Sequence, residues 1–474
     1  MLNLLKPLGG SGMKKLLLAG LMATSTLWGV ELTLQKAVDI AIKDNLQLKA
    51  ERYKVLEKYY EYRAAKGFLF PQLSASYFFS RTNQPPYSIM FRMNTHSLQF
   101  PSSPLPNNYD PNAIGMAFKA MEDYFNNPGS NQLYDLKFSL QVPIWMGGKV
   151  RNMIRGKYLE WKAQDLLAGR KTEEVAYNVA DTFLKTLYAK AAVRATETAL
   201  RDIEHHLKVV QKMYKVGMAL YSDLLRVKVY YETVKAKYIE AKNHLYVAKK
   251  ALAFLLNKNW SPEDISVKGR MFCPSPVKVE GQLSELYTWA INARKDLLAL
   301  KEGISAVKYY KKATWGNYLP DFVAFAQYDL YDNNRVGNFV ANSYMVGVGF
   351  QWKLFDGLNA FNKVRMLKEK ERELKTTLDF ARKGIKFQLS KAFKDYETAY
   401  AQLVEAETKI KQAEESLKIV EARYKQGLAR IVDLLDVQSQ LDMARFERVK
   451  ALYNCNKAYL DLYNTAGKIL EVVK

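Results

Sequence analysis

The stretch that most limits what this chain can fold into is Tyr424 to Asp436, YKQGLARIVDLLD, because it repeats Tyr214 to Arg226, YKVGMALYSDLLR, at an offset of 210 residues. Seven of the 13 aligned positions are identical. Two copies of one structural unit therefore lie end to end. In each copy a glycine (Gly217, Gly427) stands where a long helical pattern stops, and an Asp (Asp223, Asp433) where the next begins. Each copy reads as the tip of a helical hairpin.

The pattern leading to each tip is a coiled-coil seam of three and four spacing. Its members are Val193, Leu200, Ile203, Leu207, Val210 and Tyr214 in the first copy, with Thr196 as the weak member, and Leu403, Ala406, Ile410, Ala413, Leu417, Val420 and Tyr424 in the second. Two alternating stretches precede each seam: Leu73, Ala75, Tyr77 and Phe79, then Leu136, Phe138, Leu140 and Val142; later Phe322, Ala324, Ala326 and Tyr328, then Tyr344, Val346, Val348 and Phe350. Period two marks these as strands. The strand fronts Pro71 and Pro320 are offset by 249 residues rather than 210, and the excess falls in the Pro- and Asn-rich stretch 83–132. That stretch reads as a long loop with one short helix around Met116 to Tyr124.

The chain thus divides into an export signal at 1–29, a first repeat at 30–257 with strands 71–82 and 133–145, a linker at 258–282, and a second repeat at 283–474 with strands 320–330 and 343–355. Met13-Lys14-Lys15 before the apolar run from Leu16 is the signal pattern, with Met13 a candidate start. About 68 residues lead down to each tip and only about 34 lead back, roughly 100 Å against 50 Å. The missing half of the first hairpin is expected from Leu283 to Trp315, and that of the second from Leu34 to Lys66. A column of four helices with four strands at one end results.

The excess of 71 Lys+Arg over 48 Asp+Glu gives +23, yet the charges alternate in sign along helices instead of forming a basic run, so no nucleic-acid partner is expected. Cys273 and Cys455 are read as two unpaired thiols, although an exported protein permits a pair. The four histidines show no metal-ligand spacing, and neither a CxxC nor a phosphate loop occurs. No enzyme, cofactor or metal is therefore expected. Four strands are too few to close a membrane barrel, so closure needs several chains. Aromatics sit at the four strand-to-helix junctions: Phe68 and Phe70, Trp145, Trp315 and Tyr318, Trp352 and Phe355. They either fill core there or form an interfacial belt.

The order of helix, two strands and long hairpin, twice over, resembles the TolC-like outer membrane efflux family. Pro71-Gln72-Leu73 and Pro320-Asp321-Phe322 at strand starts carry the resemblance, as do Val142 to Gly148 and Leu354-Phe355-Asp356-Gly357 at strand ends, and both tips. It implies a mainly helical fold with a membrane barrel part, a homotrimer whose 12 strands close one barrel continuous with a helical barrel, and a passive duct in the outer membrane lipid. An inner-membrane pump acting through a periplasmic adaptor is implied as partner. The reading from another class is a soluble periplasmic coiled-coil scaffold, which the apolar strand faces disfavour.

The resemblance also assigns roles at the tips. Asp433 and Asp436, one helical turn apart, would form an acidic constriction; the plain alternative is an acidic first turn favouring the helix dipole. Tyr424 and Arg430 would latch to Asp223 and Ser222, with Ala429 standing where similar proteins hold the basic residue; Tyr424 reads equally as the last seam residue. Val216-Gly217-Met218 and Gln426-Gly427-Leu428 would meet the adaptor.

Overall fold

The computed structural model describes residues 30–100, 110–276, 281, 283–335 and 337–473. The expected export signal lies outside them. Strand β1 (Val30–Leu32) and helices α1 (Leu34–Asp44) and α2 (Leu46–Gly67) lead to β2 (Gln72–Thr82), and helices α3 (Pro85–Asn94) and α4 (Pro111–Asn126) separate it from β3 (Asn131–Met146). The first hairpin is α5 (Lys149–Lys215) and α6 (Tyr221–Leu255), followed by β4 (Ile265–Val267). The second repeat runs α7 (Leu283–Ala293), α8 (Lys295–Trp315), β5 (Asp321–Asp332), β6 (Ala341–Gln351), α9 (Asn359–Lys425) and α10 (Ile431–Ala466), with α11 (Ile469–Val473) at the end.

The strands form one antiparallel sheet in the order β2-β3-β5-β6. Its register sorts the side chains into two faces. Leu73, Leu140, Ala326 and Val346 form one cross-sheet row, and Ala75, Phe138, Tyr328 and Tyr344 the next on the same face. On the other face Ser76, Lys137, Asp329 and Ser343 align, with Lys137 and Asp329 paired at 3.8 Å. Pro143 lies where β3 has run past the end of β2, and the register shifts between Pro143 and Trp145. A residue with no N–H is tolerated there because only one side of the strand is paired.

The long helices α5 and α9 each span 67 residues, and α6 and α10 return over 35 and 36. Each hairpin is completed by a helix of its own repeat, which corrects the crossed pairing expected from lengths. Asn45 shows why. Its Oδ1 accepts from the N–H groups of Gln47 and Leu48 at 2.9 and 3.3 Å, while its Nδ2 donates to Leu255 O at 2.9 Å. One amide caps the start of α2 and the end of α6, setting the two helices end to end. Arg294, 249 residues on, does the same for α8 and α10: it donates to Thr465 O at 2.6 Å and to Asp296 at 2.7 and 3.1 Å, and Asp296 accepts from Leu297 N–H at 3.0 Å. Burial opposes ionisation of Asp296, but the hydrogen bonds and charge of Arg294 outweigh it and hold the carboxyl below its ordinary value.

Asn45 and Arg294 also break what periodicity presents as single helices, Leu34 to Lys66 and Leu283 to Trp315. The stretch 83–132 holds two helices rather than one, since Pro85-Pro86 occupies first-turn positions where no N–H is needed. At mid-height β1 pairs in parallel with β4, and both cover a core of Val38, Val175, Val179, Phe183, Leu252 and Leu460.

Cys273 and Cys455 form a disulfide, correcting the expectation of two free thiols. It joins the linker to α10 within a core containing Phe393 and Tyr396, and it closes a loop between residues 182 apart in sequence. Replacing both cysteines by Ser should lower stability by about 2–4 kcal/mol, read as an earlier urea midpoint of the helical signal; equal midpoints for variant and oxidised parent would show that the bond restrains nothing.

Candidate gate at the hairpin tips

Both tips are built alike. Gly217, at φ 78°, donates to Tyr214 O at 3.1 Å, and Met218 N–H reaches back to Met213 O at 2.8 Å. Gly427, at φ 74°, donates to Tyr424 O at 3.0 Å, and Leu428 N–H to Arg423 O at 2.9 Å. This is the glycine-dependent helix stop expected of both. It leaves Val216, Met218 and Leu428 exposed at 69%, 76% and 65%, so three apolar side chains crown the tips without covering. Gly217, Gln426 and Gly427 lie with them at the surface.

Behind the turns the two hairpins share an apolar cluster: Ile203 and Val210 of α5, Leu224 and Val227 of α6, and Ile431 and Leu434 of α10. Tyr424 packs against it, half-buried, and its hydroxyl points at Met213 Sδ at 3.8 Å. Burial and then the nearby charge of Asp223 push the Tyr424 phenol up. Seam and latch readings of Tyr424 thus meet in one position, but within the protomer its hydroxyl does not bond Asp223. Asp223 is half-buried and Ser222 exposed at the start of α6.

Arg430 turns to its own helix. Asp433, at the third position of α10, accepts from Arg430 N–H at 3.0 Å and from its guanidinium at 3.2 Å. The side-chain and backbone hydrogen bonds from Arg430 hold the Asp433 carboxyl below its ordinary value. Asp436, one turn on, is exposed, and no ion pair to it is found among the described residues. The two carboxylates expected as equals therefore differ, one neutralised by a neighbour and the other open.

Above the tip cluster the hairpins touch through polar bridges that sequence reasoning missed. Arg445 of α10 pairs with Asp202 of α5 at 2.8 Å, Tyr230 of α6 donates to Asp442 at 3.0 Å, and Tyr453 donates to Asp181 at 3.1 Å. Burial pushes the Asp442 carboxyl up. Beside these bridges a cavity of about 620 Å³ separates α6 from α10 over an alanine floor, Ala189 and Ala192. The only advance signal was the spacing of Asp442 and Arg445 on one helix face, since the partners lie more than 200 residues away.

The seven junction aromatics, Phe68, Phe70, Trp145, Trp315, Tyr318, Trp352 and Phe355, are all exposed on the protomer, at the end of the sheet nearest the helices. Trp352 Nε1 donates to Tyr318 O at 3.0 Å, and Trp145 packs on Phe322. They do not fill core within one chain.

The outer membrane efflux protein family model matches residues 37–258 and 286–468. The chain belongs to the outer membrane efflux protein family. The outer membrane protein TolC of Escherichia coli (strain K12) is 23% identical over 331 residues, covering 65% of this chain and 64% of that protein. The match therefore spans less than two thirds of that relative's length. A membrane protein from Pseudomonas aeruginosa shares the fold with a TM-score of 0.73 at 16% identity, over 92% of this chain and 93% of that one. The outer membrane protein VceC of Vibrio cholerae does so with a TM-score of 0.70 at 15% identity, over 92% and 96%. Family and two-faced sheet make this efflux-family chain an outer membrane protein. Among the described residues no helix is long and apolar enough to cross a membrane, and no group of three or more His, Cys, Asp or Glu is placed to hold a metal.

The sign of the Asp433 shift gives a pH test. A carboxyl held low adds its stabilisation above the ordinary value of about 3.9 and loses it as pH falls through the lowered one. In Arg430→Ala the Asp433 carboxyl should titrate nearer the ordinary value, as followed by NMR of the side-chain carbonyl; an unmoved titration would show that Arg430 is not its partner.

Proposed function

We propose that this protein is the outer-membrane exit duct of a tripartite efflux or secretion system, passively passing substrates that an inner-membrane pump delivers through a periplasmic adaptor. The observation that carries this reading is the sheet. It has an apolar face, a polar face and two unpaired edges, β2 and β6, in the protomer. Unpaired edges are liabilities unless another strand covers them, and lipid admits sheets only as closed barrels. Three copies joined edge to edge make 12 strands, with the serine and Lys137 rows lining water and the Leu73 and Ala75 rows facing lipid.

The repeats proposed at 30–257 and 283–474 then stack their hairpins into a helical barrel below, and the junction aromatics Phe68, Phe70, Trp145, Trp315, Tyr318, Trp352 and Phe355 lie at the membrane interface. At the far end, about 100 Å along 67-residue helices, the exposed Val216, Met218 and Leu428 with Gly217, Gln426 and Gly427 offer an apolar landing for the adaptor. Tyr424, Asp223, Ser222 and Arg430 form the contact zone that holds the tips together. The hairpins part along the polar seam of Asp202, Arg445, Tyr230 and Asp442, and their separation also exposes the apolar cluster that Ile203, Val210, Ile431 and Leu434 share.

Threefold symmetry sets three Asp433 and three Asp436 carboxylates around the entrance. Because Arg430 engages Asp433, Asp436 carries most of the attraction for cations. The double variant Asp433→Ala with Asp436→Ala should raise the concentration of divalent cation that blocks bilayer conductance roughly tenfold, equivalent to about 1.4 kcal/mol. Block unchanged from the parent would exclude the acidic constriction.

A further inference from the structure

The outer end of the sheet, away from the helices, holds a polar cleft that neither the duct nor its gate uses. Along the lipid-facing row of β2, Leu73, Ala75, Tyr77 and Phe79 are followed by Arg81. Phe79 packs at a tilt on Tyr134 of β3 with ring centroids 4.8 Å apart, and two pairs further out, next on the same face, Arg81 lies opposite Gln132. Apolar rows, then an aromatic pair, then a cation is the order a chain meets on leaving hydrocarbon for the headgroup layer.

Behind Arg81 the cleft opens to about 330 Å³. Arg81 Nε donates to Ser130 Oγ at 3.1 Å. No partner for its two terminal nitrogens is found among the described residues. From the other side comes Arg92 of α3, which is fixed over the polar face by Phe91 packing on Leu133, Tyr331 and Ala341. Arg92 donates to Asn131 Oδ1 at 3.0 Å, Tyr124 Oη at 3.1 Å and Pro128 O at 2.6 Å, all neutral acceptors. Hydroxyls of Thr95, Ser97 and Ser130 complete the wall, and no Asp or Glu lines it.

Two guanidiniums without a carboxylate, ringed by hydroxyl and amide donors, form a receptor for a doubly charged oxyanion. We propose that this cleft binds a phosphate group, and specifically the phosphorylated headgroup of an outer-leaflet glycolipid. The inference rests on the reading that the sheet spans the outer membrane. Arg81 supplies the open pair of donors and Arg92 the fixed charge behind it. The lipid chains then lie along the Tyr77 and Phe79 row.

The test uses the full-length protein in detergent and reads bound lipid by native mass spectrometry, with phosphorylated lipid A, its dephosphorylated form and inorganic phosphate as probes. Arg81→Gln is the variant, since Arg81 is exposed and its loss removes one hydrogen bond. Arg335→Gln, a nearby exposed arginine outside the cleft, is the control, and circular dichroism checks the fold of both. Phosphorylated lipid A is expected to bind the parent and the control alike, and Arg81→Gln roughly tenfold more weakly; the dephosphorylated form should lose the difference. Displacement of the lipid by inorganic phosphate, with the same Arg81 dependence, would keep the phosphate site and identify free phosphate as its ligand. Equal binding of phosphorylated lipid by parent and Arg81→Gln would overturn the proposal, whereas loss of barrel insertion altogether would sink the membrane reading beneath it.

Discussion

At mid-height each returning helix stops, another starts on the same axis, and their unsatisfied carbonyls and amides face one another. Asn45 satisfies both ends of the first junction with one side chain, and Arg294 with Asp296 satisfies the second. Everything above and below depends on these joints. They turn short helices into columns as long as α5 and α9, so that the sheet and the tips are held at opposite ends of one body. The Cys273–Cys455 bond and the β1–β4 pair brace the same level.

Below that level the hairpins differ in how they are held. Within each hairpin the seam is apolar; between hairpins, above the tip cluster, the polar bridges Asp202 to Arg445 and Tyr230 to Asp442 lie beside an open cavity, with Tyr188 packed on Phe446 and Tyr453. Separating ion pairs and hydrogen bonds into water costs little net free energy, because water replaces the partners. Separating an apolar seam exposes area at about 25 cal/mol per Å². Parting the hairpins at their tips would therefore break two kinds of joint, polar bridges whose partners water replaces and the shared apolar cluster of Ile203, Val210, Ile431 and Leu434, whose exposure opposes opening.

Much of this was legible in the sequence where signals are local. Strand alternation gave the two sheet faces, and glycine with a following Asp gave both tips, because period and turn chemistry act within a few residues. The N-terminal capping by Asp433 was likewise readable as an acidic first turn. What failed was long-range. The crossed assignment of the half-columns came from matching lengths alone, and both candidates have the same length; only the Asn45 contact with Leu255 and the Arg294 contact with Thr465 separate them. The breaks at Asn45 and Arg294 were hidden because the apolar spacing runs on through them. The disulfide joins residues 182 apart, and the bridges of Arg445 and Tyr230 join different hairpins, so no window of sequence contains both partners. The partnership of Arg430 with Asp433 is local, three residues apart at the start of α10, and the expected link to the first tip drew on the resemblance rather than on this spacing.

A duct requires assembly, since a four-stranded sheet with two bare edges cannot by itself enclose a pore. The most direct measurement is the protein mass of the detergent-solubilised particle, from light scattering corrected for bound detergent. Three chains of 54.4 kDa, less any cleaved leader, are expected. A particle that stays a single chain or a pair under conditions preserving the helical signal would contradict the duct.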